Sequence, residues 1–149
     1  MAILEKNRIK LQATAVDKQD AIRQAGALLV ESGCVEAAYV DGMLAREATM
    51  STYLGNGVSI PHGQYDNREH IKQTGISVLQ VPAGIVWDED DEDELAYLVI
   101  GIAAKGDEHM NVLANLAEAV EDEEMAEEMA RTEDVDLILN ALNGVPDSV

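Results

Sequence analysis

Cysteine occurs once, at Cys34, which excludes an internal disulfide and any zinc site built from several thiolates. Basic residues are scarce. Ten Lys and Arg stand against 29 Asp and Glu, a formal charge of −19. That balance argues against nucleic acid and against anionic lipid surfaces, and permits a basic protein partner. No apolar run approaches the roughly 18 residues that cross a bilayer. The N-terminus, Met1 to Arg8, has no long apolar segment behind a basic start, so it does not read as a signal peptide. The cytoplasm is the expected compartment.

Several common machines are missing too. There is no Gly-x-x-x-x-Gly-Lys-Ser/Thr loop and no Gly-x-Gly-x-x-Gly opening a helix, so nucleotide and dinucleotide binding lack support. There is no Gly-x-Ser-x-Gly elbow and no His-Glu-x-x-His pair. Cys34 falls between two helical stretches with no histidine beside it in sequence, a poor setting for a nucleophilic thiol. The run Asp88 to Glu94 is wholly acidic, but it lacks the glycine that a calcium loop needs at its sixth position. It reads as a solvated loop.

What is present is one domain's worth of chain: 149 residues, 47% hydrophobic. The stretch from Thr52 to Gly63 stands out. Gly55-Asn56-Gly57 predicts a tight turn, since Gly and Asn accept positive φ at little cost. Val58 and Ile60, spaced by two, predict a short half-buried strand. Pro61 cannot donate a ladder bond, so the strand should stop there. His62 is then pinned between a rigid proline and a permissive glycine, with open space expected around it. Pro-His-Gly by itself also fits a loop histidine without a role.

The remaining periodicity is that of an α/β chain. Ile9, Leu11 and Ala13 alternate with polar residues as a strand would. Asp17 with Asp20 forms an N-cap signal for a helix over about 18–32. Val35 to Glu47 reads as a second helix, with Val35, Tyr39, Met43 and Leu44 roughly on one side and Arg46 at its end. Thr74 to Val81 reads as a strand, and the nearly all-apolar run Leu95 to Ala104 as a strand buried on both faces. Asp107 caps an expected helix carrying Met110, Leu113, Leu116, Ala117 and Val120. Helices over about 122–130 and 134–143 follow. There is no internal repeat and no linker.

The chemistry on offer centres on imidazoles. His62 follows one expected strand and His109 the exit of another, 109 − 62 = 47 residues apart. Sites gather at such strand exits in α/β sheets. The pair should face one another across one shallow surface site with Arg46 nearby. Zinc stays open as a use for two imidazoles, but it needs a third and usually a fourth ligand. Cys34 and His70 are the only soft candidates, and nothing in the sequence places them close. His70, in Arg68-Glu69-His70-Ile71, reads as a surface residue.

Taken together, the blocks Met43-Leu-Ala-Arg46-Glu47, Thr52-Tyr-Leu-Gly55, Ile60-Pro-His62-Gly63 and Leu98-Val-Ile-Gly-Ile-Ala-Ala104 followed by Glu108-His109 resemble the mannitol/fructose type of IIA component. This belongs to the bacterial phosphoenolpyruvate-dependent sugar phosphotransferase system. The likeness runs from the Ala21 helix to the Val135–Leu142 helix and is greatest to the mannitol branch.

The resemblance implies an α/β fold, a mixed sheet flanked by helices on both faces, with residues 1–149 forming a single IIA-type phosphocarrier domain. It implies a cytoplasmic phosphotransferase that takes a phosphoryl group from the histidine phosphocarrier protein HPr onto a histidine. The group then passes to a cysteine of a IIB component, and the IIC permease uses it on a sugar alcohol, mannitol in that branch. By position, His62 matches the phosphorylated histidine, His109 the second active-site histidine and Arg46 the active-site arginine; His70 matches no functional position. No cofactor, metal or nucleotide is implied, and the membrane is reached only through IIC. Asn56 departs from the pattern, because an acidic residue is expected there. The chain starts at Met1 without a permease segment and so reads as a free-standing IIA. Two readings compete: a IIA-like regulator whose phosphorylation state controls a partner, and a metal-binding module.

Overall fold

In the computed structural model, residues 4–49, 51–63, 69–88, 91–105 and 108–143 are described. A five-stranded mixed sheet carries helices on both faces. The strands are β1 (Ile9–Lys10), β2 (Tyr53–Gly55), β3 (Val58–Ser59), β4 (Gly75–Asp88) and β5 (Asp91–Ala103), in the spatial order β1-β4-β5-β3-β2. β1 runs parallel to β4 and β3 parallel to β5, while the β4–β5 and β2–β3 pairs are antiparallel. Helices α1 (Lys18–Glu31) and α2 (Ala38–Thr49) cover one face. Helices α3 (Glu108–Glu121), α4 (Glu123–Arg131) and α5 (Val135–Asn143) cover the other.

Two helical layers explain why the central strands read as unbroken apolar runs. On β5, Leu98, Ile100 and Ile102 pack toward α3, α4 and α5, while Ala96, Val99 and Ala103 pack toward α1 and α2. Full burial of each such Leu, Ile or Val side chain stabilises by about 1.5–3 kcal/mol, so a central strand with no polar face is the favourable solution here. Val58 is fully buried for the same reason and Ser59 is fully buried beside it, where a half-buried strand was expected.

Helix α1 starts as its residues predict. The Asp17 side chain accepts from the Asp20 amide at 2.8 Å as the N-cap, and the Asp20 side chain accepts from the Val16 amide, one residue before it, at 3.0 Å. Other boundaries move. The first strand shrinks to Ile9–Lys10 because Gln12 takes a left-handed φ of 54°, which breaks the ladder before Ala13 rejoins β4 through Gln80. Helix α2 begins at Ala38, not Val35. Val35 forms an antiparallel bridge with Ile71, and the Glu36 amide donates to the His70 carbonyl, so both are held in extended pairing. The acidic run, expected as a loop, is partly strand: β4 continues to Asp88 and β5 starts at Asp91, paired with it. In α3 the buried stripe is Val112, Leu116 and Val120, at i, i+4 and i+8, and Met110 is 70% exposed. The expected cap Asp107 lies outside the described residues.

Candidate active site

β3 and β5 are adjacent and parallel, so their C-terminal ends reach the same edge of the sheet. This topology is what gathers the site. Past β3, the Ile102 amide donates to the Pro61 carbonyl at 3.0 Å and His62 forms a parallel bridge with Ile102. Past β5, the chain enters α3, with His109 in its first turn. Each histidine therefore follows a strand end, as its sequence position suggested, and the two strands are neighbours. The His109 side chain, and with it the expected facing of the two rings, lies outside the described residues.

The His62 ring is anchored through Nδ1. Its Nδ1 lies 2.8 Å from the carbonyl oxygen of Ile60. A carbonyl only accepts, so Nδ1 carries the proton and the neutral ring has its lone pair on Nε2. The residue is 8% exposed, far less open than expected for a loop histidine. A ring so fixed presents one defined nitrogen as a nucleophile and cannot swing freely.

Tyr39 locks the segment in place. From α2 its buried hydroxyl donates to the Ile102 carbonyl at 2.8 Å and accepts from the Gly63 amide at 2.9 Å. A Cβ on Gly63 would come within 2.6 Å of the Tyr39 ring, so glycine is needed here for close approach. Burial pushes the Tyr39 phenol above its ordinary value. The sequence placed Tyr39 only on a helix face. A single tyrosine at a core position carries no sign that its hydroxyl will bridge two backbone groups from distant segments.

Arg46 lies in the last turn of α2, half-buried and seven residues from Tyr39, hence on the same side of that helix. Its neighbour Glu47 is a buried carboxylate that the sequence reading passed over. Glu47 accepts from the Thr52 amide and hydroxyl and from Trp87 Nε1 at 3.0 Å, with Lys18 Nζ at 3.7 Å. Trp87 and Lys18 are remote in sequence, which is why nothing marked this carboxylate as internal.

Asn56 occupies the β2–β3 turn with a left-handed φ of 54°, followed by Gly57 at 79°. Two positive-φ residues are what a two-residue hairpin turn requires. The Asn56 amide donates at 2.8 Å to the Val120 carbonyl near the C-terminus of α3. Here a carboxylate could not donate, so the departure from an acidic residue has a structural consequence at the far end of the helix that carries His109. Two clefts of about 480 and 570 Å³ flank this turn, and neither is lined by His62 or Arg46. His70 stands apart in a pair with Glu36, Nδ1 to Oε1 2.9 Å. Cys34 is fully buried. Among the described residues no group of three or more His, Cys, Asp or Glu could hold a metal ion, and no helix is long and apolar enough to cross a membrane.

Residues 2–145 match the family described as phosphoenolpyruvate-dependent sugar phosphotransferase system, EIIA 2. The chain belongs to this family. It is 41% identical, over 97% of its length and 98% of the relative's, to the mannitol-specific phosphotransferase enzyme IIA component of Geobacillus stearothermophilus. It is 48% identical over 91% of its length to a multiphosphoryl transfer protein of Haemophilus influenzae, of which it spans 26%. The fold superposes on a complex of enzyme IIAMTL and phosphorylated enzyme IIBMTL from Escherichia coli with a TM-score of 0.87 and 40% identity, covering 95% of this chain and 99% of that one. These correspondences place the EIIA 2 domain over nearly the whole chain and bear out the α/β fold implied by the motif blocks.

Proposed function

We propose that residues 1–149 form a cytoplasmic IIA-type phosphocarrier in which His62 takes a phosphoryl group from phosphorylated HPr and gives it to a IIB component, for uptake of a sugar alcohol, mannitol. The observation that supports this reading most is a histidine held through Nδ1 at a strand exit, in a chain that matches a mannitol-specific IIA over 97% of its own length and 98% of the relative's. The Nε2 lone pair of His62 attacks phosphorus as the P–N bond to the histidine of HPr breaks in line behind it. Nδ1 keeps its proton, bonded to Ile60. The phosphorylated ring then yields the group to a cysteine thiolate of IIB, with the P–N bond breaking as the P–S bond forms.

Phosphoryl transfer asks mainly for positioning and for donors around the three equatorial oxygens. In this reading Arg46 supplies a permanently charged fork and His109 a ring N–H. Neither step consumes a nucleotide or requires a metal on this chain. The test is a transfer time course from phosphorylated HPr, without ATP or added metal on this protein, followed by addition of a mannitol-type IIB. The expected product is an acid-labile, base-stable phosphoramidate that IIB discharges. Uptake without discharge to IIB would favour a regulatory protein, and an acid-stable phosphate on Ser or Thr would reject the reading.

A further inference from the structure

We infer that Glu47 is a positioning residue that holds the His62 imidazole in its Nδ1–H tautomer through a chain of hydrogen bonds; its effect on transfer rests on the reading of His62 as the phosphoryl carrier. The chain has three links. The Thr52 amide donates to both Glu47 oxygens at 3.2 Å. Next, the Ile60 amide donates to the Thr52 carbonyl at 2.9 Å. Last, His62 Nδ1–H donates to the Ile60 carbonyl at 2.8 Å. A buried carboxylate at one end and the imidazole at the other are thus connected by one extended pairing of the segments 52–53 and 59–60.

The anchor end is built to stay put. Glu47 Oε1 also accepts from the Thr52 hydroxyl, and Oε2 from Trp87 Nε1 at 3.0 Å, with the Lys18 ammonium at 3.7 Å. Glu47 is 4% exposed, Thr52 6% and Trp87 1%. Both oxygens act only as acceptors, and the donors come from α1, from the entry to β2 and from β4. A carboxylate suits this place because it alone offers acceptor lone pairs on both sides. Its amide isostere has to point an N–H₂ at either Thr52 or Trp87, donor against donor. Glu47 also follows Arg46 directly on α2, so the same anchor fixes the helix end from which Arg46 projects.

The experiment compares the intact wild-type protein with Glu47→Gln. The ¹⁵N spectrum of the histidine rings reads the tautomer, and the saturating rate of phosphate uptake from phosphorylated HPr reads the chemistry. In the wild type, His62 should show a protonated Nδ1 and an unprotonated Nε2. In Glu47→Gln these signals should average toward the two-tautomer pattern of a free imidazole while those of His70 stay unchanged. The saturating rate should fall by about tenfold, and the HPr concentration giving half that rate should not move. Thr52→Val removes the hydroxyl link but keeps the amide, and it should show a smaller change in the same direction. A folded Glu47→Gln with the wild-type His62 tautomer overturns the inference, as does Thr52→Val with that tautomer if the glutamine variant fails to fold. A wild-type chain that takes no phosphate defeats the phosphocarrier reading instead, and the ring spectrum still decides the role of Glu47.

Discussion

Tyr39 stands between a carbonyl of β5 and the amide of Gly63, the residue after His62. Removing its hydroxyl leaves both groups buried, and an unsatisfied buried group costs about 1–3 kcal/mol. Tyr39→Phe should lower the denaturation free energy by that amount and slow phosphate uptake, since Gly63 loses its tether. The same residue sets an alkaline signature. Its folded-state value lies above the ordinary 10.0, because burial penalises the phenolate. The associated stability is fully present below pH 10 and is lost as pH rises through the folded value. Denaturation measured from pH 8 to 11 should show a steeper alkaline fall for wild type than for Tyr39→Phe. Equal slopes would mean that Tyr39 does not contribute to it.

At the scale of elements, the decisive feature is the parallel pairing of β3 with β5, which puts two strand exits at one edge. The histidines were legible as residues following strands, but not that those strands would be neighbours, because pairing between segments 40 residues apart leaves no local trace. Helix α1 was legible because its cap is local, with Asp17 accepting from the Asp20 amide and Asp20 from the Val16 amide. The start of α2 was not, because His70 and Ile71 hold Val35 and Glu36 from a distance. Glu47 and Tyr39 escaped for the same reason: their partners are scattered along the chain. Asn56 looked like a departure from pattern and is a clamp on the C-terminal carbonyls of α3. Asn56→Asp replaces a donor with a negative charge at the negative end of that helix dipole. Losing such a contact costs about 1 kcal/mol, with a further 0.3–1 kcal/mol for the unfavourable charge. Thermal or urea denaturation should register that loss, and an unchanged midpoint would remove the clamp from the account.

For the whole molecule, the formal charge of −19 sets the terms of encounter. Attraction between exposed charges is screened beyond about 8 Å at physiological salt. Association with phosphorylated HPr should therefore slow as salt rises, provided that partner presents a basic face. Stopped-flow rates that stay flat from low to high salt would argue against charge-assisted docking. The central claim is narrower and rests on one nitrogen. The direct measurement is to phosphorylate the protein with phosphorylated HPr and locate the group by fragment mass analysis at neutral to alkaline pH, with ³¹P and ¹⁵N spectra to assign the ring nitrogen. The account predicts one phosphoryl group per chain, on Nε2 of His62, absent from His62→Ala and undiminished in His70→Ala. A phosphoryl group on His109 or His70, or normal uptake by a folded His62→Ala, would contradict it.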